Sequence, residues 1–438
     1  MFLSARSNIK LRRFRDPNHA LERGVQAPKR HRSPVQSKNM WLLRLSRTER
    51  STLIATWTGW TLDGLDVMVY SFVIPSLMAQ WRITPAQAGL LGTSALLISA
   101  AGGWLAGIAA DRYGRVRILQ ITIAWFALFT FLSGFTNGFL QLLIVRGLQG
   151  LGFGGEWAVG SVLMGETIRS EYRGRVVGTV QGGWAVGWAL AAAFYSLFFS
   201  VLPHRFAWRA MFWIGILPAL LLFYIQRRVP EPEIFKPSRG GLQIFSPAVI
   251  RITVLASLVA LGAQGGYYAI TTWLPLYLKT ERGLSVLNTA GYLFIVIAGS
   301  FTGYLVSAAL TDSFGRRRTL LGFAVCSLIT VWLYMALPIG NTAMLALGFP
   351  LGFFASGVFS PLGSFFTELF PTRLRGSGQG FSYNLGRGIG ALFPTLVGIL
   401  SARASLGSAI AIFAASAYLL MILGACLLPE TRGKDLQP

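Results

Sequence analysis

The chain has 438 residues, of which 53% are hydrophobic and only 13% are charged, and its mean hydropathy is +0.55. This balance excludes an ordinary soluble domain and indicates a polytopic membrane protein. The formal net charge of +23 does not indicate a nucleic-acid partner, because the basic residues stand in short clusters between apolar runs, as positive-inside topology predicts. The sequence shows no metal-ligand spacing, nucleophile–base pair or glycine-rich phosphate loop, so we expect no cofactor, no metal and no enzymatic activity.

Residues 1–50 are basic, polar and without a sustained hydrophobic period. We interpret this segment as a disordered cytoplasmic tail, since it also lacks the apolar core of a signal peptide. Met40 is an alternative translation start, in which case residues 1–39 are not made.

Twelve apolar runs follow, each close to the length of about 20 residues that crosses a bilayer. They lie near 52–78, 84–109, 117–135, 137–166, 175–201, 207–227, 248–276, 286–310, 317–337, 341–369, 377–401 and 406–428. Arg and Lys concentrate in alternate connections, which places both termini in the cytoplasm. We therefore expect an all-α, multi-pass protein of twelve transmembrane helices in the lipid bilayer of an inner membrane.

The first half of the sequence returns in the second. Residues 111–115 (Asp-Arg-Tyr-Gly-Arg) return as residues 312–316 (Asp-Ser-Phe-Gly-Arg), and Glu166 with its following Arg-Gly pair returns at Glu368. We divide the chain into the tail, 1–50, a first six-helix bundle, 51–228, a cytoplasmic linker, 229–246, a second six-helix bundle, 247–428, and a short cytoplasmic tail, 429–438. Duplicated halves around a midplane cavity suit a transporter that alternates its access.

The repeated segment resembles a signature of the major facilitator superfamily of secondary transporters, in the form Gly107-x3-Asp-Arg-x-Gly-Arg. Residues 146–152 (Arg-Gly-Leu-Gln-Gly-Leu-Gly) resemble a second signature of that family. Within it, the Asp-Gly-Leu-Asp of residues 63–66 and residues 380–387 are similar to proton symporters of organic anions, first the sialate and monocarboxylate group and then the aromatic-acid group. The resemblance implies a pseudo-symmetric fold of two six-helix halves and a monomer.

The endings of the two halves resemble those of sugar porters. They are Val229-Pro230-Glu231 and Leu428-Pro429-Glu430. These endings keep a sugar-type substrate open as an alternative.

Asp63 and Asp66 lie inside the first apolar run, where acids are costly and usually functional. They are three residues apart, so on a helix they share a face with Tyr70. Two acids so close do not both ionise easily, and we interpret them as the proton-coupling residues; a structural pair is the alternative. Arg146 resembles residues implicated in proton coupling in the family, and its alternative role is to pin two helices together. Glu156 is interpreted as an inner gate or as a helix-packing acid.

Arg387 falls about 16 Å into its span, at 1.5 Å per residue, and so lies near the midplane. A guanidinium there binds a substrate carboxylate with two hydrogen bonds, or it serves as a counter-ion of Asp63. Asn384 lies one turn away. Gln264, Tyr267 and Tyr268 form a polar-aromatic stripe on the seventh span. We predict these residues and Tyr70 as substrate-binding, with aromatic packing as the alternative for each Tyr.

The repeated charged residues lie at the cytoplasmic ends of the helices. In the resembled family such residues form a network that closes one face of the transporter, and here they are Asp111, Arg112, Arg115, Glu166, Arg173, Asp312, Arg316, Glu368 and Arg375. We assign these residues to gating, together with Glu156.

The sequence therefore favours proton-coupled uptake of a small organic anion, a carboxylate, with protons as the second cargo. The alternatives are an exporter or a carrier of sugars or polyols in the same family. A membrane sensor that signals through the basic tail is an alternative of a different class.

Overall fold

A computed structural model describes residues 38–83, 85–237, 241–283, 286–337, 339–434 and 436. Residues 1–37, most of the predicted tail, lie outside this range. The chain divides into two compact units, Met1–Arg44 and Leu45–Pro438. In its described part the first unit is a short 3-10 helix, Lys38–Arg44. All the α-helices of the described residues lie in the second unit.

The first half of the second unit contains eight α-helices. Helix α1 begins at Arg47, four residues before the predicted bundle, because Ser46 and Glu49 form a capping box: the Glu49 N–H lies 3.1 Å from Ser46 Oγ and the Ser46 N–H 2.8 Å from Glu49 Oε2. The helices are α1 (Arg47–Trp81), α2 (Pro85–Tyr113), α3 (Arg115–Ser133), α4 (Phe139–Thr167), α5 (Arg173–Val180), α6 (Gly182–Val201), α7 (His204–Trp213) and α8 (Leu217–Arg228). Helices α5 and α6 run end to end, as do α7 and α8, so the eight make six spans.

The second half repeats this arrangement after a 3-10 helix at Gly241–Phe245. Its helices are α9 (Ile250–Thr280), α10 (Val286–Phe314), α11 (Arg316–Ala336), α12 (Asn341–Gly357), α13 (Phe359–Leu369), α14 (Arg375–Gly390), α15 (Phe393–Ser401) and α16 (Leu406–Leu427). Helices α12 and α13 form one interrupted span, and α14 and α15 form another. The predicted fold of twelve transmembrane helices in two six-helix halves is confirmed.

The acids and arginines that we predicted inside the bilayer, Asp63, Asp66, Arg146 and Arg387, lie on three of the twelve spans, α1, α4 and the α14–α15 pair. Among the described residues, nine helical segments are long and apolar enough to cross a membrane, and these three spans are outside that set. Helix α4 packs against both α1 and α14. Charged groups inside a membrane are costly and are rarely found there without a partner or a function.

Contacts between the halves follow the same symmetry. Helix α2 packs against α14, and its counterpart α10 packs against α5, with α13 beside it. The turns that start α3 and α11 are also equivalent, since Gly114 has φ of 105° and Gly315 has φ of 106°. Only glycine adopts such angles readily, so these two positions of the repeated segment are fixed by the sharp turn between consecutive helices.

Candidate functional site

A small cavity of about 30 Å³ lies between the two halves. Among the described residues its wall is mainly aromatic and includes one charged side chain, that of Arg387; the other lining residues are Trp60, Gln181, Trp184, Gln264, Tyr267, Tyr268, Tyr304, Phe359 and Tyr383. Gln181 stands at the break between α5 and α6, and Phe359 begins α13, so interrupted spans supply part of the wall. An apolar wall with a few convergent polar groups is typical of small-molecule sites.

Arg387 brings a buried positive charge to this wall. Its side chain is 2% exposed, and its Cζ lies 4.5 Å from the ring centroid of Phe153 and 5.2 Å from that of Tyr383. Its Nη1 has no hydrogen-bond partner among the described residues. None of the ion pairs in the described part of the chain includes it. The guanidinium is therefore held by aromatic faces and keeps a donor for a further group.

The predicted stripe on the seventh span lines the same cavity. Gln264 Nε2 donates to the backbone oxygen of Tyr383 at 2.8 Å, and the Tyr268 hydroxyl lies 3.4 Å from Gln264 Oε1. The ring of Tyr267 meets that of Phe359 edge-on, with centroids 5.4 Å apart. These residues combine a flat apolar surface with polar groups at its edge.

The two acids of α1 face different surroundings. Asp66 accepts a hydrogen bond from Gln149 Nε2, which also lies 3.1 Å from Thr130 Oγ1, and it lines a smaller cavity inside the first half. Asp63, 0% exposed, accepts none from any described donor and lies within electrostatic reach of Glu156 and Arg387. Our expectation that both act on one face is therefore too simple, because a spacing of three residues leaves them about 60° apart around the helix.

Arg146 lies beside Asp66 and not beside the central cavity. Its side chain is 4% exposed, its Cζ is 4.3 Å from the ring centroid of Tyr70, and it is within electrostatic reach of Asp66. Tyr70, which we predicted to bind substrate, thus stacks on Arg146 and is not among the described residues that line the central cavity. The structure groups Asp66, Arg146, Tyr70 and Gln149 as one polar cluster.

Two further predicted residues lie away from their expected surroundings. The Asn384 amide is 3.1 Å from the Gly154 oxygen on α4 and 3.1 Å from the Gly380 oxygen, so it joins the two halves and lies outside the described cavity wall. Glu156, predicted as a gate, is buried between α1 and α4 and takes part in none of the ion pairs of the described residues.

A charged network joins the first half to helix α14. Asp111 accepts hydrogen bonds from the backbone N–H groups of Gly376 at 2.9 Å and Ser377 at 2.7 Å. Arg115 pairs with Asp111 at 2.6 Å and with Glu166 at 3.1 Å, and Arg375 pairs with Glu166 at 2.6 Å. An acid at the N-terminus of a helix from the other half is favourable both as an acceptor and through the helix dipole.

The second network is its pseudo-symmetric counterpart and joins the second half to helix α5. Asp312 accepts from the N–H groups of Gly174 at 2.8 Å and Arg175 at 2.7 Å. Arg316 pairs with Asp312 at 3.1 Å and with Glu368 at 2.9 Å, while Arg173 pairs with Glu368 at 3.1 Å. The structure thus brings together eight of the predicted gating residues in two equivalent clusters.

Arg112, also predicted as a gating residue, lies outside both clusters. It is exposed, and its Cζ lies 5.0 Å above the ring centroid of its neighbour Tyr113. It makes none of the ion pairs found among the described residues. We predicted it as a gating residue from its place in the motif, but the helix turns its side chain away from the network.

Glu231 and Glu430 contact the two charged clusters, and we did not predict a site role for either residue. Glu231 accepts from the N–H of Arg115 and, at 3.0 Å, from that of Val116, which caps α3. Glu430 accepts from the N–H of Arg316 at 2.8 Å and caps α11 in the same way. The repeated Pro-Glu endings were the signal for these caps, although we related them to the substrate.

Comparisons with known proteins agree with this architecture. The model of the Major Facilitator Superfamily matches residues 56–394 and 296–438. A probable 4-methylmuconolactone transporter of Cupriavidus pinatubonensis is 44% identical over 400 residues, covering 90% of this chain and 93% of the relative. The sialic acid transporter NanX of Escherichia coli K12 is 29% identical, covering 88% of this chain and 96% of the relative.

A solved structure shows the same fold. The proton:xylose symporter XylE, bound to 6-bromo-6-deoxy-D-glucose, superposes with a TM-score of 0.75 and covers 89% of this chain and 98% of that one. Its sequence identity is 20%. This likeness concerns the path of the chain.

Proposed function

The chain belongs to the Major Facilitator Superfamily, and we propose that it is a secondary transporter that takes up a small organic carboxylate together with protons. The observation that carries the proposal is the buried guanidinium of Arg387, which faces an aromatic cavity between the halves and forms no ion pair with any described residue. A buried charge left alone is costly, whereas a substrate carboxylate would accept two hydrogen bonds from it. The relatives named for 4-methylmuconolactone and sialic acid support an organic anion as cargo.

The aromatic wall of the cavity supports a flat substrate. The rings of Tyr267, Trp60 and Trp184 form part of that wall. Aromatic faces stack well on unsaturated rings or conjugated chains. Gln264 and Tyr268 add polar groups that would orient hydroxyl or carbonyl oxygens of the cargo.

Proton coupling is supported by the acids of α1 and by the electrical work of anion entry. Each charge that crosses a potential of about 100 mV costs or yields about 2.3 kcal/mol, so an inside-negative membrane opposes anion entry unless protons accompany the anion. In our proposal a proton neutralises Asp63 or Asp66, with Arg146 beside Asp66, when the cavity opens outward. The anion then binds at Arg387, and both are released after the halves rock.

The two charged networks support alternating access. Both lie at the end that we assign to the cytoplasm from the positive-inside rule. Each clamps an acid of one half onto a helix N-terminus of the other, so the halves cannot separate at this end until the networks break. In our proposal their opening releases the cargo into the cell, and the protein lies in the inner membrane as a monomer with both termini in the cytoplasm.

The sugar-carrier alternative has lost its support from the sequence. The endings that resemble sugar porters contain Glu231 and Glu430, which cap α3 and α11 about the gate. A helix cap places no demand on the cargo, so these endings carry no information about the substrate.

Ligand binding tests the proposal directly. Trp60 and Trp184 line the cavity, so binding of 4-methylmuconolactone, sialate or 4-hydroxybenzoate to the purified protein should change Trp fluorescence. Hydrogen bonds to charged groups contribute about 1.5–3 kcal/mol, so Arg387→Gln should weaken binding of the active acid about 10- to 100-fold. The control is Arg403→Gln, at an exposed position outside the cavity wall. Equal affinity of Arg387→Gln and wild type would contradict the proposal.

A further inference from the structure

Glu156 has no role in the proposed transport cycle, yet it is the group that faces Asp63. Glu156 is 4% exposed and Asp63 is 0% exposed, on α4 and α1 respectively. The two carboxyl groups lie within hydrogen-bonding reach of each other. Neither oxygen of Asp63 receives a hydrogen bond from an N–H or hydroxyl group of the described residues. The carboxyl group of Glu156 is therefore the group placed to satisfy Asp63.

Gly59 makes the room for this pair. It lies one helical turn before Asp63, and a Cβ added to it would collide with Glu156 Oε1 and lie 3.4 Å from Glu156 Cδ. The glutamate carboxyl thus occupies the space above the glycine, next to the aspartate on the same face of α1. Trp60 and Trp157 line the same small cavity as Glu156, and their ring centroids lie 4.6 Å apart.

A buried pair of carboxyl groups cannot hold two negative charges at low cost. Two ionised groups would repel each other in a medium of low dielectric constant, and an ionised carboxylate has no hydrogen to donate to the other. A single proton removes the repulsion and supplies the missing donor. We infer that Asp63 and Glu156 share one proton in the substrate-free transporter and take up a second when a carboxylate binds at Arg387.

The charges around the pair lead to the second proton. The ionisable groups that interact with the pair are Arg387 and Tyr383 on α14 and Asp66 on α1. Three further tyrosines interact in turn with Arg387 or Tyr383; they are Tyr267, Tyr268 and Tyr304. Asp66 is balanced by Arg146. In the empty cavity the single negative charge of the pair balances Arg387. When a substrate carboxylate binds, its negative charge balances Arg387 instead. The negative charge on the acid pair is then uncompensated, so the pair takes up about one proton for each bound anion.

This inference rests on the proposed function for the substrate step, but its first part is measured without substrate. Infrared difference spectra of the substrate-free, reconstituted protein at neutral pH should show the carbonyl stretch of a protonated carboxyl group. Asp63→Asn and Glu156→Gln should each lose that band, because each variant removes one of the two carboxyl groups that share the proton. Glu171→Gln, which changes an exposed carboxylate, should keep it. A band that survives in both of the first two variants, or that Glu171→Gln also loses, would overturn the inference.

Gly59→Ala keeps both acids and controls for loss of the infrared band through misfolding. The added methyl group would displace the flexible end of Glu156 from Asp63, so the band should shift or disappear while the thermal unfolding temperature changes little. An unchanged band in this variant would also contradict the inference.

The second proton is measured by adding 4-methylmuconolactone to weakly buffered protein with a pH indicator. Wild type and Glu171→Gln should take up about one proton per bound anion, and the double variant Asp63→Asn/Glu156→Gln about none. Equal uptake in the double variant would overturn the second part. If wild type shows the infrared band but neither binds nor moves any carboxylate, the proposed function fails and the shared proton stands.

Discussion

Arg375 of the second half and Glu166 of the first half form an ion pair with 2.6 Å between Nη1 and Oε1. Both side chains are at most 1% exposed. Glu166 also pairs with Arg115 of its own half at 3.1 Å, so one carboxylate bridges the halves. Removing one partner of a buried ion pair is strongly destabilising, so this contact helps to hold the two halves together. We call the contact between Arg375 and Glu166 the latch.

Glu166→Gln should open this latch. The substitution leaves Arg115 and Arg375 buried near each other without their anion, at a cost of about 3–5 kcal/mol to the closed state. Spin labels at the exposed positions of Arg112 and Arg318, in a background with Cys326 and Cys426 replaced by Ser, should report a longer distance between the halves. An unchanged distance distribution would show that the latch does not hold the closed state.

The two networks should contribute similarly to stability. Asp111→Asn and Asp312→Asn each remove a negative charge from a helix N-terminus of the other half, and such interactions contribute about 0.3–2 kcal/mol. Both variants should lower the unfolding temperature, whereas Arg112→Gln, at an exposed position in the same motif, should not. If Arg112→Gln lowers the unfolding temperature as much as the two aspartate variants do, the placement of Arg112 outside the two networks is wrong.

Asp66 and Arg146 should behave as a coupled pair in a double-mutant cycle. Asp66→Asn leaves the Arg146 guanidinium buried against Tyr70 without its nearby anion, so we expect a destabilisation of about 3–5 kcal/mol. Arg146→Gln in the same chain should recover part of that loss, because the uncompensated charge is removed. Additive losses in chemical unfolding would mean that the two groups do not interact.

The aromatic wall of the cavity should favour flat substrates. Tyr267→Phe keeps the ring that meets Phe359 and should change binding of 4-hydroxybenzoate little. Tyr267→Leu removes the ring face, which contributes about 0.5–1.5 kcal/mol, so affinity should fall about 2- to 13-fold. If sialate, which has no aromatic ring, loses as much affinity as 4-hydroxybenzoate, stacking is not the cause.

Much of the architecture was predictable because it follows from local patterns. Apolar runs of about 20 residues and the repeat of Asp111 and Arg115 at Asp312 and Arg316 predicted twelve spans and two halves. The same repeat indicated which charges belong to one network, because equivalent positions in duplicated halves occupy equivalent places. The burial of Arg387 inside its span was also predictable, from its distance along that span.

The partners of individual side chains were not predictable, since they depend on how each packed helix is rotated about its axis. Asp63 and Asp66 point towards different neighbours, and the amide of Asn384 bonds Gly154 across the halves. We assigned Glu156 to the gate from its position along the fourth span. The sequence did not show which residue its side chain faces. Arg112 follows Asp111 in the motif, but consecutive side chains differ by about 100° around a helix, so the two point in different directions.

The measurement that tests the central claim most directly is gradient-driven uptake in proteoliposomes. An inward proton gradient should drive accumulation of one acid from a panel of 4-methylmuconolactone, sialate, lactate and 4-hydroxybenzoate. Asp63→Asn and Arg387→Gln should abolish accumulation, while Glu171→Gln, at an exposed carboxylate, should transport as wild type does. If no acid accumulates under the gradient, or if the Asp63 and Arg387 variants accumulate it as well as wild type, proton-coupled carboxylate transport at Arg387 is wrong.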